Sequence, residues 1–156
     1  MPTDPPALPA EPGGVVAQRQ VLPGDASALR AARSVVEQSA HGLLSDRSLD
    51  DALLLTSELV ANAVMHGASP IVLQVLRRSD SIAVAVTDGL DAWPDTLPGA
   101  GRQPAVGGRG LALVAALASS WGVDRHGGPA GKTVWFELRT SRTTPQPPPG
   151  GPLPGQ

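Results

Sequence analysis

Proline divides this chain. Of its 17 prolines, five fall within residues 1–12 and six within residues 145–154, so a packed unit must be built from what lies between. Proline lacks a backbone donor and is kept out of helix interiors and central strands. The opening MPTDPPALPAEPGG holds too little apolar surface to offset the entropy of ordering it. The closing TTPQPPPGGPLPGQ reads the same way, with local polyproline II character. Residues 1–14 and 141–156 are therefore expected to be disordered tails around one domain at 15–140. A domain of that size, roughly 125–130 residues, buries about two-thirds of the surface its unfolded chain exposes.

Charge and cysteine content remove several function classes. Lys and Arg number 12 against 14 Asp and Glu, a net charge of −2, which argues against a chain whose main task is neutralising nucleic-acid phosphates. With no cysteine there is neither a disulfide framework nor a cysteine zinc site. No run of apolar residues is long enough to span a membrane, and the first residues lack the basic and apolar regions of a secretion signal. The expectation is a cytoplasmic protein with no membrane contact.

Turn residues punctuate the domain regularly. VVAQRQVL (15–22) alternates as a strand, and Pro23-Gly24-Asp25 turns into a helix capped by Asp25 or Ser27 and running to about Ser39. After a loop at 42–46, Ser48 is the expected cap of a second helix, with Asp50 and Asp51 in its first turn and Gly67 as its stop. PIVLQVLRR (70–78) and SIAVAVTD (81–88) read as strands joined by a tight turn at Ser79-Asp80. Residues 91–109 are rich in Gly and Pro and carry no period, which marks a functional or mobile loop. A short apolar helix at 110–120 and strands at 122–126 and 132–139 complete the order β-α-α-β-β-loop-α-β-β. Hairpins with clustered helices favour an α+β sandwich over a doubly wound parallel sheet.

Several polar residues interrupt these apolar patterns. Glu58 and Asn62 stand four apart, on one face of a helix otherwise built from Leu, Ala and Val. They are either a mutually satisfied surface pair or a site facing a ligand. Ile82, Val84, Val86 and Asp88 share one face of a strand, so an apolar stripe ends in a carboxylate followed by Gly89. Asp88 either caps a turn or accepts a hydrogen bond from a ligand amine. Gly107-Gly108-Arg109-Gly110 precedes a helix, where free backbone N–H groups can hold phosphate. It fails the dinucleotide fingerprint, because Leu113 stands at the third glycine position and no strand leads into it. GGPAGKT (127–133) fails the P-loop pattern, being one residue short and followed by a strand. Gly131-Lys132-Thr133 then reads as a turn entering the last strand. His41, His66 and His126 have no metal-ligand spacing, and His66 suits the end of a helix.

Taken in order, ELVANAVMHG (58–67), Asp88-Gly89, GGRGLALV (107–114) and GKTVWFEL (131–138) resemble the ATP-binding domain of the GHKL, or Bergerat-fold, superfamily. Within it the chain is most similar to the small anti-sigma-factor serine/threonine kinases and their bacterial relatives, over about residues 15–139. The resemblance implies a two-layer α/β sandwich, with a mixed, largely antiparallel sheet covered by helices on one face. It implies ATP and Mg²⁺ as cofactors, with Asn62 on the metal, Glu58 as general base and Asp88 on the adenine amino group supported by Thr133. Gly108, Arg109, Gly110 and Leu111 would bind the nucleotide, with Gly108 and Gly110 letting the lid close on the phosphates. The chain departs from the family at Leu90, where a small residue is usual.

The function implied is phosphorylation of a serine or threonine on a small antagonist protein of the anti-anti-sigma type, with a sigma factor as a second partner. The resemblance also allows a homodimer, gives no role to nucleic acid, and places Arg33 where such a partner docks. A module that binds ATP without transferring phosphate is the alternative. A histidine-kinase catalytic domain ranks last, because the chain is too short to add dimerisation helices and a phosphoacceptor histidine.

Overall fold

The apolar alternation of the segments on either side of Ser79-Asp80 builds the centre of a sheet. In the computed structural model, which describes residues 15–91 and 109–140, five strands and three helices follow one another. These are β1 (Val15–Leu22), α1 (Ser27–Ala40), α2 (Asp46–His66), β2 (Ile71–Arg77), β3 (Ser81–Asp88), α3 (Arg109–Leu117), β4 (Ser120–Arg125) and β5 (Lys132–Arg139). A 3₁₀ turn at Gly128–Ala130 joins β4 to β5. The sheet order is β1-β2-β3-β5-β4. Every pairing among the described residues is antiparallel, so the largely antiparallel sheet is present and the parallel pair that would make it mixed is not. β2–β3 and β4–β5 are joined by short connections, while the passage from β3 through α3 to β4 crosses over β5, which lies between them, so strands running the same way are never neighbours.

β3 lies at the middle of the sheet and all eight of its residues are buried. Its inward face, Ile82, Val84 and Val86, joins Leu73 and Val75 of β2 and Phe136 and Leu138 of β5 in one core. Ala32, Val35 and Val36 of α1, Leu55 and Leu59 of α2, and Leu111 and Val114 of α3 cover that face. The outward face is packed differently: small Ala83 and Ala85 sit between Leu76 and the half-buried Trp135. The helices thus lie on the side to which the end of β3 directs Asp88, in register with Ile82, Val84 and Val86.

Two boundaries differ from the sequence expectation, each for a capping reason. α2 begins at Asp46, because Ser45 is the cap and its hydroxyl accepts the Ser48 amide at 3.2 Å. Ser48 is therefore in the first turn, where its own hydroxyl bonds Ser45 at 3.0 Å. At the other boundary α3 stops at Leu117, and the Ser119 amide donates to the Glu137 carbonyl at 2.8 Å. That bond draws Ser120 and Trp121 into β4 rather than the helix. The two tails and most of the Gly/Pro-rich loop expected from the sequence lie outside the described residues.

Asp25 caps α1 from just outside it, accepting the Ser27 amide at 2.8 Å and the Ser27 hydroxyl. The hydroxyl and then the amide hold its carboxyl below the usual carboxylate value. A carboxyl lowered by folding stabilises the fold above its unfolded value of 3.8, and that contribution is lost as pH falls through the lowered folded value. Asp25→Ala should therefore melt earlier than wild type at neutral pH, with the gap closing in acid. Thermal melts across the acid range check this, and a gap independent of pH would assign the loss to something other than the carboxylate.

Candidate functional site

The site starts where α2 meets the end of β3. Gly67 stops the helix and donates its amide to the Ala63 carbonyl at 3.0 Å. A Cβ at Gly67 would lie 2.7 Å from Asp88 Cγ, so the absence of a side chain is what lets the helix end close on the carboxylate. The next residues continue the closure, with the Gly89 amide donating to the Ala68 carbonyl at 2.6 Å. A Cβ at Gly89 would stand 2.7 Å from the Ser69 carbonyl oxygen. The His-Gly at the end of α2 and the Asp-Gly at the end of β3 thus form one junction.

Back along α2 from this junction, Asn62 is five residues away and Glu58 nine, about 7 and 13 Å at the helical rise. Both are half-buried, and neither side chain makes a hydrogen bond or ion pair among the described residues. The mutually satisfied surface pair that would have made them purely structural does not form. Their neighbours show the contrast: Thr56 returns its hydroxyl to the Ala52 carbonyl at 2.7 Å and Ser57 to Leu53 at 2.8 Å. Ser57 also receives Arg33 Nη1 of α1 at 3.2 Å, which fixes the flank of α2 that faces α1. Glu58 is the next residue, about 100° further round the helix.

Asp88 is 3% exposed and already engaged. Its Oδ1 accepts the Leu90 amide at 2.9 Å and Lys132 Nζ at 3.1 Å, and its Oδ2 faces the same ammonium at 2.9 Å. Lys132 is 7% exposed and also donates to the Leu90 carbonyl at 3.2 Å. Burying two charges together is tolerated only when attraction and added hydrogen bonds offset their desolvation. Here Leu90 supplies one bond to each partner through its backbone.

The register explains why it is Lys132 that touches Asp88. Asp88 faces Lys132 across the β3–β5 ladder, and Thr87 faces Thr133. Side chains alternate along a strand, so Thr133 turns to the other face. There its hydroxyl meets Thr87 Oγ1 at 2.6 Å and His126 Nε2 at 2.8 Å. While the Thr133 hydroxyl bonds Thr87 and His126, the strand residue that touches Asp88 is thus Lys132, the first residue of the strand expected at 132–139. Its signal was present: Lys132, Val134, Phe136 and Leu138 alternate, which puts a lysine on the core face. Close by, Arg125 Nε bonds Asp91 Oδ1 at 2.9 Å and ties β4 to the start of the following loop.

The expected phosphate lid is placed only in part. Gly108 lies outside the described residues, and Arg109 and Gly110 open α3. Leu111 is 1% exposed and its side chain belongs to the core, so only its backbone remains for a ligand. The first turn of α3 carries the positive end of the helix dipole, where backbone N–H groups can face an anion. His66 is exposed at the end of α2. Among the described residues no three His, Asp or Glu side chains cluster as a metal site.

Comparison with known proteins places this geometry. The sequence profile of the family described as histidine kinase-like ATPase domain matches residues 22–138. Among solved structures, the RsbU and RsbW domains of Rv1364c from Mycobacterium tuberculosis align with a TM-score of 0.59 and 23% identity, over 78% of this chain and 31% of that one. This chain spans about a third of that structure's length, and the likeness is one of fold. The histidine kinase domain from the Erythrobacter litoralis EL346 blue-light activated histidine kinase aligns at 22% identity with a TM-score of 0.49, over 74% of this chain and 60% of that one. No protein with a curated description matches.

Proposed function

This chain belongs to the histidine kinase-like ATPase domain family, and we propose on that basis that it binds ATP with Mg²⁺ and phosphorylates a serine or threonine of a small partner protein. The partner is an antagonist of the anti-anti-sigma type, docking beside α1 where Arg33 is exposed, with a sigma factor as the second partner. The observation that carries the reading is the pair of unpartnered, half-buried side chains Glu58 and Asn62, aligned along α2 toward the buried carboxylate of Asp88.

The residues fit the group the family uses. Mg²⁺ prefers oxygen ligands and commonly takes one or two protein groups together with substrate phosphates, keeping waters elsewhere. An unpartnered amide oxygen on Asn62, with no larger acidic cluster among the described residues, suits that mode of binding. The metal when bound neutralises phosphate charge. Along α2 the order is then base at Asp88, phosphates beside Asn62, and reacting hydroxyl at Glu58. The N-terminus of α3 contributes N–H groups to the phosphates, with Gly108, Arg109 and Gly110 as the proposed lid. Thr133 acts on the base site only through its strand, by holding Lys132 in register. In the transfer, Glu58 accepts the proton of the attacking hydroxyl, a new O–P bond forms to the γ-phosphorus, and ADP leaves with the bridging oxygen.

The binding half of this reading is tested at Asn62. Asn62→Ala should abolish the Mg²⁺-dependent part of ATP affinity, measured by calorimetry with and without the metal, while the melting temperature changes by no more than a degree or two. A several-degree fall in melting with unchanged Mg²⁺-dependent affinity would make Asn62 a structural amide. The catalytic half is tested by incubating the protein with γ-labelled ATP and antagonist-type partners.

A further inference from the structure

We propose that Lys132 is an internal competitor for the base site: its ammonium holds the Asp88 carboxylate and must give way before a purine amine can take it. This rests on the reading that the site binds ATP, and it adds a latch that sets how tightly. Three observations carry it. Asp88 and Lys132 face each other across the β3–β5 ladder, so the contact is built into the register. Their side chains are only 4% and 9% exposed, so the carboxylate is covered where the pair forms. Its acceptor positions are also largely taken, because Oδ1 serves both the Leu90 amide and Lys132 Nζ while Oδ2 faces Lys132 Nζ.

A base amine and a lysine ammonium present the same chemistry to a carboxylate, an N–H donor. The ammonium adds a full charge and is the stronger partner at equal geometry. The Lys132 ammonium donates to Oδ1 and to the Leu90 carbonyl and pairs with Oδ2 at 2.9 Å, so it cannot pivot to admit a second donor without breaking one of these contacts. Gly67 closes another side, since a Cβ there would lie 2.9 Å from Oδ1. The Leu90 carbonyl belongs to a residue that is 40% exposed, so the ammonium can leave toward solvent past it. Nucleotide affinity is then reduced by the fraction of molecules with the latch open. A latch closed nine-tenths of the time or more weakens apparent binding by about tenfold or more.

The test uses Lys132→Met, which keeps the apolar stem and removes the charge. Calorimetry with Mg²⁺ compares ATP and inorganic triphosphate, which has no base, on wild type, on Lys132→Met and on Lys132→Met combined with Asp88→Asn. Lys132→Met should bind ATP at least about tenfold tighter, with triphosphate affinity unchanged and the gain lost in the double variant. If wild type binds ATP and Lys132→Met binds it no tighter, or tightens on triphosphate equally, the latch is wrong while the ATP-binding reading stands. If neither protein binds ATP or triphosphate, both fall. Should Lys132→Met fail to fold, wild type still decides, because Lys132 is the chain's only lysine. Protein grown on lysine labelled with an NMR-active carbon at Cε gives a single side-chain signal. A displaced latch moves that signal with ATP and leaves it in place with triphosphate, and a signal unmoved by ATP overturns the proposal.

Discussion

Gly131→Ala is expected to cost about 3–5 kcal/mol and to lower the melting temperature by roughly 10–20 °C. Gly131 has φ +71°, and with ψ −138° it lies close to a region that essentially only glycine occupies. That alone costs on the order of 1–3 kcal/mol for alanine. The larger problem is space, because a Cβ there would lie 1.8 Å from the Asp88 carbonyl oxygen and 2.8 Å from the Gly89 carbonyl carbon. Both neighbours are backbone, so no rotamer change relieves the overlap and the ends of β3 and β5 have to part. Gly127 is the control. Its φ of +79° imposes similar strain, but nothing lies within 4 Å of its would-be Cβ, so Gly127→Ala should cost only about 1–2 kcal/mol. Chemical denaturation of the two variants side by side separates strain from overlap. Equal losses would mean that the β3–β5 end is not packed as closely as its backbone positions require.

The same close approach explains what was legible in the sequence and what was not. Signals confined to one element read correctly. The alternation of SIAVAVTD put Asp88 on the core face, where it lies in register with Ile82, Val84 and Val86. The Gly after His66 stopped α2 where the helix does stop. The four-residue spacing of Glu58 and Asn62 gave a shared helix face, although only the structure could show that neither side chain spends itself on the other. Relations between elements were not legible. Which strand residue meets Asp88 depends on a register across 44 positions, and a shift of one residue exchanges Lys132 for Thr133. The capping error had a similar origin: Ser45 and Ser48 are both acceptable caps, and the choice between them was made by a hydrogen bond from the second to the first. That the side chain of Leu111, which the resemblance puts at the nucleotide, packs in the core depends on how α3 lies on the sheet, another relation between elements.

The largest expected effect on activity belongs to Glu58. Glu58→Gln keeps the length, shape and helix preference of the side chain but removes its ability to accept a proton from an attacking hydroxyl. A general base contributes about 10²–10⁴-fold to rate, and its loss leaves ground-state binding largely intact. The expected result is near-normal Mg-ATP affinity with phosphoryl transfer to the partner reduced at least about a hundredfold. The fold should be unaffected, because Glu58 has no hydrogen-bond or ion-pair partner among the described residues that the substitution would orphan. This separates it from Asn62→Ala, which acts on metal-dependent binding, and from Lys132→Met, which acts on the base end of the site. Transfer is measured with γ-labelled ATP in single turnover, so that product release does not mask the chemical step. If Glu58→Gln transfers as fast as wild type, the carboxylate has no catalytic role. If wild type labels no antagonist-type partner that it binds in the presence of Mg-ATP, the chain is a nucleotide-binding interaction module. In that case the open side chains of α2 serve to sense ATP rather than to consume it.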